Sequence, residues 1–189
     1  GSAATSGNGT PLTPADALEP YRFGHADWPT LVFVNGRFDA ALSRLDTLPE
    51  GVRALSLAQA LVERPEAIER VVGTIANADL HPFVALNQAL FVDGALVTVG
   101  KEMEAEVPVH LVYVTDATGA RGATHPRTLI VAERHSKVTV LESHVALGDA
   151  AYFTNHVTEI DVADGATVTH VKLQRESARA FHVAHVEAR

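Results

Sequence analysis

The sequence predicts a mainly β protein: a stack of parallel coils, or β-helix, over residues 91–189, preceded by a small α+β cap over residues 21–90. Two similar passages carry most of that prediction. Thr128–Glu142 and Thr158–Lys172 each read as a β-rich run, a short polar corner (Glu133–Ser136, Asp164–Gly165) and a second β-rich run. Sliding one onto the other pairs Ile130 with Ile160, Ala132 with Val162, Val138 with Val168 and Leu141 with Val171, at a constant offset of thirty residues. A fixed offset of this size marks coils that bury an apolar face only against their neighbours. The second observation is a change of period: helix-spaced apolar residues stop at Leu90, and the remainder reads as strand and turn. Two Val-rich strands around a corner also fit neighbouring strands of a sandwich, and the residues alone leave that architecture open.

Along the chain, residues 1–20 are Gly, Ser, Thr, Ala and Pro with little large apolar content, and read as a disordered tail. Leu31–Val34, Asn35-Gly36 and Arg37–Ala40 form a hairpin signal, because Asn-Gly adopts the two positive φ angles of a type I′ turn. Ser56–Arg64 reads as a helix with Ser56 as N-cap and Leu57 and Leu61 on one face. Pro65 opens a second helix whose apolar face is Ile68, Val71, Val72 and Ile75. A third, Phe83–Leu90, is expected to pack on these two. Phe91–Val99 reads as strand, Asp93-Gly94 turn, strand, and Val107–Thr115 and Phe181–Val186 as further strands. The chain stops in or just after a strand at Arg189, so the coil region is expected to be incomplete, a piece of a longer protein.

Composition excludes several function classes. Net charge is −8, with no run of Lys or Arg, which argues against a nucleic-acid partner. No 18-residue apolar run is present, so no membrane span is expected, and the default location is cytoplasmic. Cys is absent, which removes disulfides, thiolate nucleophiles and Cys-ligated metal from the chain. Ten His remain, and seven lie after residue 124: His125, His135, His144, His156, His170, His182 and His185.

The motifs that could carry chemistry are few. Gly94 with Gly100-Lys101 fails as a P-loop on spacing, and Glu102 stands where Ser or Thr is needed. His182-x-x-His185 would share a face on a helix, but on a strand the two rings point to opposite faces. His144, His156 and His170 converge if the coils stack, yet no carboxylate partner is evident from spacing, so no metal site is assigned. Glu102, Glu104 and Glu106 alternate as on the solvated face of a strand. Lys172-Leu-Gln-Arg-Glu176 is a dense polar group at the end of the second passage, readable as a surface turn.

Leu86–Ala89, Pro108–Leu111, His125–Val131, Tyr152–Asn155, Val157–Glu159, Lys172–Ser177 and Phe181–Ala184 together resemble the SufB/SufD family of iron–sulfur cluster assembly proteins, nearest its SufD branch, from about Leu31 to Arg189. The resemblance implies a helical N-terminal domain, a right-handed parallel β-helix and a C-terminal helical domain. It also implies a scaffold subunit that is not an enzyme, pairs with SufB through the β-helices and works with the SufC ATPase. The iron–sulfur cluster belongs to the assembled complex, and no cofactor is expected in this chain alone. The far part of the β-helix and the helical domain that holds SufC have no counterpart here. One polar residue carries over, Gln174, whose match in the sister subunit lies in a core passage associated with sulfur transfer; the Cys that passage leads to is missing. Two other functions compete: a cupin-like β-barrel enzyme binding metal through clustered His, and a solenoid with an aromatic ligand groove, which 6% aromatic content disfavours. An uncovered last coil predicts self-association, most simply a dimer, through residues after Ala151.

Overall fold

A computed structural model describes residues 14–22, 27–63, 65–69, 71–116 and 122–189. The coil stack is present. Strands β4 (Gly94–Val99), β5 (Val109–Asp116), β6 (Ala123–Thr124), β7 (Arg127–Ala132), β8 (Lys137–Leu147), β9 (Phe153–Val162), β10 (Thr167–Arg175) and β11 (Phe181–Ala188) wind through two sheets in a parallel β-helix of about three turns. One sheet runs β5–β8–β10 and the other β4–β7–β9–β11, with β6 beside β9, all in parallel. The repeat seen in the sequence is the register itself: Val138 lies beside Val168 and Leu141 beside Val171, while Ile130 lies beside Ile160 and Ala132 beside Val162. The thirty-residue offset belongs to these two coils alone. Val109 faces Val140 and Phe153 faces Phe181, so connections of other lengths separate the remaining coils and hide the repeat.

Corners are fixed by backbone chemistry. His135 (φ 58°) and Gly165 (φ 70°) take left-handed conformations at equivalent points of successive coils. A Cβ on Gly165 would run into the His135 imidazole, so the second corner needs glycine both for its φ and for the ring stacked beneath it.

The cap is built onto the coils. Strand β1 (Thr30–Val34) pairs in parallel with β5, and Asn35 (φ 50°) and Gly36 (φ 77°) turn it back into β2 (Arg37–Phe38), as the Asn-Gly signal predicts. Strand β3 (Val52–Ser56), which the sequence does not announce, pairs antiparallel with β4. Both sheets therefore end in an antiparallel strand contributed by residues before 91. Helix α2 (Leu57–Glu63) has the expected cap, with the Ser56 hydroxyl accepting from the Gln59 N–H at 3.3 Å. Its buried face is Leu57 and Ala60, and Leu61 is exposed, contrary to the Leu57/Leu61 expectation; Arg64 lies outside the described residues. Helix α3 (Pro65–Glu69) is shorter than its apolar spacing implies: Val71 to Ile75 follow as turns, although Ile68, Val71 and Ile75 are buried against Leu57, Leu96 and Leu129. Helix α4 (Pro82–Leu90) packs on β9 and β11 instead of on the other helices.

Three further expectations are corrected. Part of the stretch read as disordered is folded: α1 (Pro14–Leu18) buries Leu18 against Val32, Val112, Val114 and Val145, and residues 1–13 lie outside the described residues. Asp93-Gly94 is not a hairpin turn. The buried Asp93 carboxylate accepts from the Ser56 hydroxyl (2.8 Å) and the N–H groups of Phe38, Ala58 and Gly94, tying β2, α2 and β4 together. Glu102, Glu104 and Glu106 are solvated but lie outside any strand: Glu102 sits in a turn (φ 62°), Glu104 makes an isolated bridge with Lys137, and Glu106 lies in a bend.

Candidate functional site

One half of the lumen between the sheets is apolar, filled by Val97, Leu111, Ile130, Val138, Val140 and Ile160. Farther along the strands the inward positions turn polar. Glu142 and His144 on β8, His156 and Thr158 on β9, His170 and Lys172 on β10, and His182 on β11 converge there. Strand alternation places Glu142 and His144 on one face, and coil stacking sets Lys172 beside Glu142 and Gln174 beside His144.

Glu142 is the centre, with no exposure. Its Oε1 meets His144 Nε2 at 2.8 Å, Lys172 Nζ at 3.3 Å and His156 Nδ1 at 3.7 Å. Its Oε2 accepts from the Thr158 hydroxyl and meets His170 Nε2, both at 3.2 Å. Burial alone would raise the Glu142 carboxyl; the rings of His156, His144 and His170 outweigh it and hold the group well below the usual carboxylate range. Burial pushes His156 and His144 down. We therefore assign one carboxylate held by hydrogen bonds among imidazoles, with Lys172 as its counter-charge. Aromatic stacking orders the same column: Phe33 on Tyr113 (centroids 4.9 Å apart), then Tyr113 on His144 (5.1 Å). The Tyr113 and Thr128 hydroxyls lie 2.8 Å apart, and the Thr128 hydroxyl lies 2.8 Å from His156 Nε2.

At the outer end of this lumen, Glu176 meets His182 Nδ1 at 2.8 Å and accepts from Tyr152 Oη and Gln174 Nε2, each at 3.2 Å. His182 and His185 do point to opposite faces: His185 lies on the surface with Glu187 (2.9 Å) and beside the His81 ring. Of the sequence candidates, the structure brings His144, His156 and His170 together. Gln174 stands at the lumen rim, its residue exposed. The sequence argument against a site was the lack of a carboxylate, and Glu142 and Glu176 supply two. Their signal was present: an acid two residues before His144, and an acid two residues after Gln174. The cupin-like alternative fails on architecture, because the strands coil in parallel and close no barrel.

A second buried network fastens the cap. Glu159 receives the Arg127 Nε–H (2.9 Å) and the N–H groups of Gly73, Ile75 and Ala76 (each 3.0 Å). Asn87 of α4 accepts from Arg127 Nη1 and donates to the carbonyls of Pro126 and Asn155.

Comparison with known proteins agrees with this architecture. A family profile described as the SufBD protein N-terminal region matches residues 25–111, and one described as the SUF system FeS cluster assembly, SufBD core domain, matches residues 113–189. An iron–sulfur cluster assembly SufBD family protein of Synechocystis is 31% identical over 89% of this chain and 39% of its own length. The iron–sulfur cluster assembly protein SufD of Bacillus subtilis is 36% identical over 50% of this chain and 21% of its own, and SufD of Escherichia coli 28% over 82% and 34%. The chain thus spans about two fifths or less of the length of these relatives. With a β-helix behind a cap of short helices, and both family regions matched in order along it, the chain belongs to the SufBD family of iron–sulfur cluster assembly proteins.

Proposed function

We propose that this chain is a SufD-like, non-catalytic scaffold of the SUF iron–sulfur cluster assembly machinery, acting in the cytoplasm. Its β-helix pairs with a SufB-like subunit, and a SufC-like ATPase joins through the wider complex. The iron–sulfur cluster is the complex's cargo and is not held by this chain alone. The observation that supports this reading best is the order of the two family regions on a continuous coil stack whose outermost strands, β10 and β11, each present an edge with no strand beside it among the described residues. Such an edge is a template for pairing with another β-structure. The test is co-expression of the untagged chain with SufB-like and SufC-like proteins of its own organism, one of them tagged. Co-elution with the SufB-like subunit is expected, and passage of the chain through the column alone would overturn the proposal.

A further inference from the structure

We propose that His144, Glu176 and His182 form a binding site for a divalent transition-metal ion at the outer end of the β-helix lumen. One ligand atom from each lies within 4.8 Å of the others. That is a span which small side-chain rotations close onto an ion about 2.0–2.2 Å from each donor. Two imidazoles and one carboxylate are a donor set suited to Zn²⁺ or Fe²⁺, with positions left for water.

An independent observation points to a ligand. The His182 side chain is 9% exposed, yet Nε2 has no hydrogen-bond partner and Nδ1 meets only Glu176. Buried polar atoms are nearly always partnered, and one left open inside a polar cluster calls for a water or an ion beside it. His156 Nδ1, fully buried one coil inward, also lacks a hydrogen-bond partner.

The surroundings are those of a supported metal site. Ligating His rings are usually fixed by a carboxylate on the other ring nitrogen, and Glu142 holds His144 in that way at 2.8 Å. Tyr152 donates to Oε1 of the Glu176 carboxylate and Gln174 to Oε2, which also meets His182, and Oε1 keeps a lone pair free. Lys172, a cation in the lumen, is matched by Glu142 at 3.3 Å. The assignment rests on the donor set and stands or falls independently of the assembly role.

The experiment uses untagged, chelator-stripped protein, titrated with Zn²⁺ by calorimetry and with Co²⁺ by visible absorption. The expected result is one equivalent per chain with a Co²⁺ ligand-field band. Glu176→Gln and His182→Ala should each weaken binding by roughly tenfold or more. His185→Ala, which dismantles the surface trio His81–His185–Glu187, should leave it unchanged. Melting curves report folding; Glu176→Gln keeps size and decides the matter if His182→Ala does not fold. Absence of saturable binding in the wild type overturns the proposal. So does binding that survives Glu176→Gln at full strength, or that His185→Ala abolishes.

Discussion

Arg127 and Glu159 form a fully buried ion pair between adjacent strands of the β-helix, and the same carboxylate gathers the N–H groups of Gly73, Ile75 and Ala76. Those N–H groups belong to turns outside any regular element, so they have no ladder to satisfy them. Removing one partner leaves the other charge buried and unpaired, at a cost of about 3–5 kcal/mol. Glu159→Ala is therefore expected to lower the urea midpoint severely and to loosen the cap. Amide exchange at residues 73–76 would show the second effect. A variant as stable as the wild type would mean the clip is not the cap's anchor.

Gly94 lies where β4 presses against β7. A Cβ at this position would coincide with the Arg127 carbonyl, a backbone atom that cannot move without breaking the register. Gly94→Ala should cost more than about 2 kcal/mol, as overpacking against rigid backbone does. Gly122, with nothing among the described residues within 4 Å of its would-be Cβ, should accept Ala with a change within about 0.5 kcal/mol. Equal effects from the two variants in chemical denaturation would contradict this packing.

His110 is buried beside the Ser143 hydroxyl (2.8 Å), and burial, aided by the charge of Arg22, lowers its pKa to about 4. Because the folded pKa lies below the unfolded value of about 6.5, the unfolded chain binds the proton more readily between these limits. The contribution is intact above pH 6.5 and is lost as pH falls toward 4. At pH 5 the loss should be about 2 kcal/mol relative to pH 7. His110→Gln should remove that increment from the pH profile of unfolding. A wild type and variant with parallel profiles would show that His110 is not the group responsible.

How much of this was legible beforehand follows from where the information lies. The pairing of Val138 with Val168 could be read because two successive coils have connections of equal length, so register survives as a sequence offset. Ser56 as N-cap and Asn35-Gly36 as a turn are local, and local chemistry decides them. Strand β3 was invisible because its partner β4 begins some forty residues on and its own run is only five residues long. The lumen cluster was half visible. Its His residues stood out by number, but Glu142 lies in an ordinary strand pattern, and only stacking reveals that it faces His170 and Lys172 of the next coil. Asp93 is hidden for the same reason: Asp-Gly is a turn signal in isolation, and the four donors converging on that carboxylate come from four elements, β2, β3, α2 and β4.

The last prediction concerns association. Strands β10 and β11 end the two sheets, and no strand among the described residues covers their outer edges. Val171, Phe181 and Val186 are exposed there at 41%, 70% and 48%. An open, apolar strand edge recruits other chains, and identical chains meeting edge to edge close most simply about a two-fold axis. The 189-residue chain is thus expected to dimerise through residues after Ala151. Light scattering across a concentration series should show mass rising to twice that of the chain. Val171→Lys, which places a charge on the β10 edge, should shift the equilibrium toward monomer, whereas Val62→Ser on the exposed side of α2 should not. A wild type that stays monomeric at high micromolar concentration would overturn the prediction, and a dimer broken by Val62→Ser and not by Val171→Lys would place the contact elsewhere.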